Sequence, residues 1–296
     1  MQPELSMRNF DLVTDRNCLR KLLRFVSADG LEGPFRVDVL VQGDVIFLCR
    51  WEAELKRIVL GHQNTGYGHS FEKATTRFDE KLKDSSGHHR VVRYNLGDLR
   101  CLVRYEADGC IEDVGESSEK PKAEEGNNAD DLLDAFKSMS IVSPRAEGAG
   151  SVQVRKQGRM VPPSTLIEIK TRTAYLGLSL DKVIPQLWFA QTPHLFIGFH
   201  RKGEFQQVRK LSMKPAFEQW EQQHQAHLRK LVVLLKKIGG LAKNAQNKRC
   251  TVICGGDKAS PRLTIYESTK NGAVLPDDII KMHEWTREVE DAVAEA

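Results

Sequence analysis

Two short runs of the 296-residue chain carry charged side chains where an apolar sheet would exclude them. One reads Leu102-Val103-Arg104-Tyr105-Glu106-Ala107-Asp108-Gly109, the other Leu166-Ile167-Glu168-Ile169-Lys170-Thr171. Along a strand, residues two apart share a face, so Glu106 is expected to project with Asp108, and Glu168 with Lys170. Ile167 and Ile169 would anchor the second strand through its opposite face. Three carboxylates and a lysine gathered at strand ends raise the free energy unless something offsets them. A hard divalent cation does so, because carboxylate oxygens are its preferred ligands. The lysine can then hold a nucleophilic water or steady a developing phosphoryl charge. A lone Glu-x-Lys triplet is common on solvated strand faces, so the weight lies on the combination.

These runs need elements to position them. Leu19, Leu22, Leu23 and Val26 fall at helical spacing and predict a helix over 17–26. Phe35–Val41 and Asp44–Cys49, joined by Gln42-Gly43, predict a hairpin. Phe71, Ala74, Phe78 and Leu82 predict a helix over 69–83, after the glycines Gly66 and Gly68. Strands follow near 90–95, 99–106 and 165–171, then a helix over about 179–191 and an apolar strand at 195–200. A long helix is expected over 215–239, its inward stripe formed by Phe217, Trp220, Leu228, Leu231, Val232, Leu235 and Ile238, with Gly239-Gly240 as its stop. Two strands, 250–254 and 263–267, and an acidic helical tail from Asp277 complete the series. The fold class is α/β of the mixed α+β kind, with central mixed β-sheets flanked by helices. Residues 114–160 are rich in Glu, Ser, Lys, Asn, Gly and Pro and poor in apolar residues, and read as a polar, flexible insertion.

Composition removes function classes. No apolar run approaches the roughly 18 residues of a membrane-spanning helix. The N-terminal residues have no apolar segment of a secretory signal, and six cysteines are too few for a disulfide scaffold, so reduced thiols are expected. Lys and Arg number 44 against 40 for Asp and Glu, a net +4 that permits a nucleic-acid partner without demanding one. Asp130-Asp131-Leu132-Leu133-Asp134 matches the diphosphate motif of prenyl diphosphate synthases. That class needs two such motifs on long helices, and a single copy in a polar insert reads as an acidic linker or docking segment. The basic run from Arg229 to Arg249 suits an RNA-phosphate groove or a solvated helix face equally. Cys250 and Cys254 have no second pair at zinc-ligand spacing and read as buried strand residues.

Read with their flanks, the charged runs are those of a known family. Glu-x-Asp followed by Glu-x-Lys resembles the sheet of PD-(D/E)xK nucleases. Gly68-His69-Ser70-Phe71-Glu72 is similar to the G-Y-K-F-E motif of the DXO family, the eukaryotic decapping and 5′-end-processing exoribonucleases. Glu106-Ala107-Asp108 resembles its E-x-D-C motif, with Gly109 where cysteine is usual, and Glu168-Ile169-Lys170-Thr171 its E-L-K-T. Pro185-Gln186-Leu187-Trp188, followed by Pro193 and Gly198-Phe199-His200, resembles its W-x-Q-S-F…G-F-R segment. Leu22-Leu23, the hairpin and Trp51-Glu52 follow the family's order, so the likeness spans most of the chain outside 114–160.

The resemblance implies one DXO-like domain over 1–296 with a PD-(D/E)xK nuclease-like core. Glu72, Glu106, Asp108 and Glu168 would hold one or two Mg²⁺ or Mn²⁺ ions, with the Ile169 carbonyl as a further ligand. Lys170 and Gln186 would position the attacking water and the scissile phosphate beside the catalytic carboxylates Asp108 and Glu168, and Arg104 is a further candidate substrate contact. The substrates would be RNA 5′ ends, capped, NAD-capped, triphosphorylated or monophosphorylated. The chain would remove incomplete or non-standard caps, degrade RNA 5′ to 3′, or both. Ser70 and His200 replace a usual lysine and arginine, which removes positive charge from the expected phosphate path. Arg50 and Arg57 are candidates for the family's upstream arginine. An intracellular setting is expected, nucleus before cytoplasm, with no membrane partner. A catalytically weak scaffold for a partner 5′–3′ exoribonuclease and a related nuclease acting on DNA are the alternatives.

Overall fold

Alternating apolar residues build the larger of two sheets. A computed structural model describes residues 6–28, 33–52, 66–83, 85, 87–112, 157–257, 260–268, 274–275 and 279–280. In it, Phe35, Val37, Val39 and Val41 are buried on one face of β2 (Phe35–Gln42). The chain turns at Gly43, whose φ is 60°, into the antiparallel β3 (Val45–Trp51). With β1 (Leu12–Asp15), β4 (His89–Leu96), β5 (Leu99–Glu106), β10 (Arg249–Asp257) and β11 (Ser260–Glu267), they form a seven-stranded sheet ordered β11-β10-β2-β3-β1-β5-β4. β1 lies parallel to both β3 and β5, and the other pairs are antiparallel. The smaller sheet is ordered β6-β7-β8-β9, from β6 (Gly109–Cys110), β7 (Leu166–Thr173), β8 (His194–Arg201) and β9 (Glu204–Ser212). Only β7 and β8 run parallel in it. Both sheets are therefore mixed, as expected.

Four α-helices flank them among the described residues: α1 (Arg16–Ser27), α2 (Gly68–Thr75), α3 (Leu180–Ala190) and α4 (Lys214–Asn244). α1, α3 and α4 share one apolar core with the inner face of the large sheet, through Leu19, Leu22, Leu187, Phe189, Leu231 and Leu235. Trp188 belongs to this core. It packs edge-on to Phe189 and beside Trp220, and its indole N–H donates to Glu221 at 3.3 Å. Cys250 and Cys254 are buried in β10 as apolar strand residues.

Two expected helix ends move. α2 stops at Thr75 rather than running to 83. The backbone becomes extended at Thr76 (φ −113°, ψ 149°), whose amide and hydroxyl both donate to the Glu72 carbonyl, at 2.9 and 2.7 Å. Leu82 then lies in a separate 3-10 turn, Glu80–Leu82. Conversely, α4 passes through Gly239-Gly240 and ends only at Asn244. A Cβ on Gly239 would sit 2.2 Å from the Ile46 side chain, so this glycine serves the approach of α4 to β3. β1, β9 and the two-residue β6 are additional strands. β1 has only four residues, and β9 is a polar edge without apolar alternation.

The chain divides into two compact units: Met1–Arg77 with Ser85–Ile111 and Val161–Ala296, and Phe78–Asp84 with Glu112–Met160. The first holds both sheets, all four helices and the candidate site. Arg57, the Asp130–Asp134 run and nearly all of the expected insertion lie outside the described residues.

Candidate active site

β7 carries two faces. Ile167 and Ile169 pack with Phe71 of α2. Leu166 packs on the other face with Tyr105, Ala107 and Ala190, and period-two alternation puts Glu168 and Lys170 there too. Glu168 is only 2% exposed. A carboxylate that deep in a protein is tolerable only when its charge is matched and its oxygens accept hydrogen bonds. Three elements do this. Lys170, next on the same face, donates to Oε1, as does the Gln186 side-chain amide from α3. Arg16, the first residue of α1, donates from Nη1 to Oε2 at 3.1 Å.

Asp108 approaches β7 from its edge. β6 pairs with β7 over two residues only, Gly109 with Ile167 and Cys110 with Leu166. Beyond β6 the Ile169 amide would be left unpaired, and Asp108 Oδ2 accepts from it at 2.8 Å. The Asp108 carboxyl is pushed up to about 7 from an ordinary 3.8, first by burial, then by the negative charge of Glu168 and more weakly by that of Glu72. The Ile169 amide and Lys170 pull in the opposite direction. A site that holds one carboxyl this high concentrates negative charge, which a cation would relieve.

The other expected residues are placed as follows. Glu72 is half-buried on α2, near enough to Asp108 for its charge to be felt there. Glu106 and Arg104 are exposed on β5 and stand outside the hydrogen-bonded cluster, with Glu106 Oε1 turned towards Gly87. The chain leaves β5 at Glu106 and reaches the smaller sheet at Gly109 through Ala107-Asp108. Among the described residues, no three carboxylate, histidine or cysteine side chains converge within metal-holding distance. The donor set near Asp108 is nevertheless all hard oxygen, from Asp108, Glu168 and Glu72, and this suits Mg²⁺ or Mn²⁺ better than a soft metal.

His200 is buried, in edge contact with Tyr67 at 4.8 Å and Phe205 at 5.2 Å, and accepts from the Gly203 amide at 3.4 Å. It is a packing residue on the α2 side of the sheet. Ser70 is exposed on α2. Arg50 pairs with Glu52 at 3.1 Å.

Arg16 is the residue that sequence reasoning missed. Asp15 caps α1, accepting from the Asn17 and Cys18 amides at 2.7 and 2.9 Å, and this fixes Arg16 at the end of β1 beside β5. A detectable signal existed. An arginine in the first turn of a helix opposes the helix dipole, which implies a dedicated anionic partner.

Two mixed sheets flanked by helices are also the fold of solved structures of Rai1, a DXO-family protein. Rai1 of S. pombe in complex with 3′-FADP aligns at TM-score 0.54 and 13% identity, over 89% of this chain and 73% of that one. Rai1 of Candida albicans in complex with pU5-Mn²⁺ aligns at TM-score 0.51 and 12% identity, over 88% and 69%. Rai1 of Scheffersomyces stipitis in complex with (3′-NADP)⁺ and calcium ion aligns at TM-score 0.51 and 13% identity, over 89% and 68%. By sequence, the chain belongs to the family described as a domain of unknown function (DUF8563), whose profile matches residues 1–285. No curated protein matches it significantly.

Proposed function

We propose that the chain is a metal-dependent RNA 5′-end hydrolase of the DXO type, removing incomplete or non-standard caps, NAD caps included, or degrading RNA 5′ to 3′. The observation that carries this reading is the buried Glu168, bonded at once by Lys170, Gln186 and Arg16, beside the raised carboxyl of Asp108. The pU5-Mn²⁺ and 3′-FADP bound by the Rai1 proteins support an RNA 5′ end as ligand and a divalent ion as cofactor. Asp108, Glu168 and Glu72 would hold the ion, with the Ile169 carbonyl at their edge. A bound Mg²⁺ or Mn²⁺ supplies Lewis-acid stabilisation of phosphoryl charge. Lys170 contributes a positive charge for a phosphate oxygen, and Gln186 keeps an amide beside the same carboxylate to orient water. Arg16 holds the Glu168 side chain in place inside the fold.

A second reading has its own support. Glu168 already accepts three hydrogen bonds from protein side chains, and among the described residues no three metal-holding side chains converge, which suits a catalytically weak scaffold for a partner 5′–3′ exoribonuclease. One assay separates the two. Monophosphorylated, triphosphorylated, unmethylated-capped and NAD-capped RNAs are incubated with the protein in Mn²⁺, in Mg²⁺ and in EDTA, alongside a Glu168→Ala/Lys170→Ala double variant. Metal-dependent processing that the double variant loses supports the hydrolase. No processing in any metal refutes it in favour of the scaffold, and preferential cutting of DNA refutes the RNA 5′-end assignment.

A further inference from the structure

The sheet face that bears Glu168 and Lys170 continues beyond the cluster. Register sets Lys170 opposite Ile197 and Arg172 opposite Phe199 on β8. It then sets Ile197 opposite Arg209 and Phe199 opposite Gln207 on β9. Cross-strand partners share a face, so Lys170, Arg172, Phe199, Gln207 and Arg209 stand on one side of the sheet. Lys170 and Arg209 occupy one row, two strand spacings or roughly 10 Å apart at the backbone. The opposite face is closed by packing. Phe71 lies against Gly198, where a Cβ would meet its ring at 2.7 Å, and Phe205 lies 4.2 Å from Phe71.

An irregularity in β9 shapes this surface. The register shifts between Phe199 and His200, because Phe199 pairs with Gln207 whereas His200 pairs with Phe205. Gln206 is the extra residue. A bulge sets two neighbouring residues against one partner and re-aims a side chain, so Gln206 joins Gln207 beside Phe199. The result is a cavity of about 390 Å³ lined by Ala174, Phe199, Gln206, Gln207 and Arg209. That volume falls within the roughly 300–1,000 Å³ typical of small-ligand sites. Its chemistry suits a nucleotide: an aromatic ring for the base, two amides that donate and accept at base edges, and a guanidinium for a phosphate. β9 is a polar edge strand along which Gln206, Gln207 and Arg209 are all exposed.

We propose that this cavity is the subsite for the nucleotide next to the scissile bond, with Arg209 holding its phosphate and Phe199, Gln206 and Gln207 its base. The inference rests on the RNA 5′-end reading above, in which Lys170 places the scissile phosphate. It assigns substrate grip to a strand edge that carries none of the catalytic motif.

The test uses a 5′-monophosphorylated pentauridylate with a 3′ fluorophore, its binding followed by anisotropy in Ca²⁺ and its hydrolysis in Mn²⁺. Arg209→Gln is expected to weaken binding about tenfold, reduce the salt slope by about one, and raise KM with kcat retained. Arg209→Lys restores most of the affinity, which excludes a folding defect as the cause. Gln206→Ala/Gln207→Ala is expected to narrow the preference between uridylate and adenylate oligomers, whereas Arg262→Gln on β11 changes nothing. If the wild type binds and processes RNA while Arg209→Gln matches it in affinity and salt slope, the subsite is refuted and the hydrolase reading stands. A fall in kcat at constant KM refutes the subsite equally, since Arg209 would then act on the chemistry. If the wild type neither binds nor processes RNA in either metal, both proposals fall.

Discussion

Asp108→Asn tests the electrostatics of the site without removing its packing. The asparagine carbonyl can still accept from the Ile169 amide, but the variant has no carboxyl to ionise. In the wild type the folded carboxyl titrates near 7 against an ordinary 3.8. Between these values the folded chain keeps a proton that the unfolded chain has released. Stability therefore falls as pH rises, by about 1.4 kcal/mol per unit where the two states differ by a full proton. Over the whole window the loss reaches roughly 4 kcal/mol, a ceiling because Asp108 is only half-buried and solvent screens part of it. Urea unfolding in EDTA at pH 5, 6 and 7, on both proteins, isolates the group, since other titrations cancel in the difference. The advantage of Asp108→Asn is expected to widen by about 2 kcal/mol from pH 5 to pH 7. Mn²⁺ should stabilise the wild type more at pH 7 than at pH 5, because binding requires the ionised form. A gap that stays constant across pH would refute the claim that burial, with the charge of Glu168, raises this carboxyl.

Two further outcomes follow from packing. Arg16→Ala leaves Glu168 buried with one charged partner fewer and is expected to destabilise the fold by about 3–5 kcal/mol, with Arg16→Lys losing less. Equal melting curves for wild type and Arg16→Ala would show that the pair contributes nothing. Gly239→Ala forces a methyl into the Ile46 side chain and should cost about 1–3 kcal/mol despite better helix propensity, a loss that Ile46→Ala in the same chain recovers. Stabilisation by Gly239→Ala alone would mean that α4 and β3 do not approach so closely.

Much of this was legible in the residues. Period-two and helical spacing located most of the long strands and the helices α1, α3 and α4, because each buries one regular face. The Glu-x-Lys strand was equally visible, since charge on an otherwise apolar strand is anomalous. What escaped was whatever depends on partners distant in sequence. Gly239 reads as a helix stop until Ile46 is seen beneath it. The bond from the Ile169 amide to Asp108 depends on a change of sheet that follows β5 and that spacing does not announce. Arg16 could not be assigned to Glu168 from spacing, and β9 could not be read because an exposed edge strand buries no stripe.

The Arg16–Glu168 bond spans 152 positions of sequence. Its two halves are made far apart in time during synthesis. The segment that becomes α1 is synthesised well before β7 exists, and the carboxylate its guanidinium meets arrives only after the whole 112–160 segment has been added. Contacts of such separation form late, when the entropy of closing the intervening loop can be offset by the docking of entire sheets. The nascent chain therefore has no assembled centre while it is still close to the messenger being translated. The buried Glu168 cluster comes into being only once the core that holds it is complete.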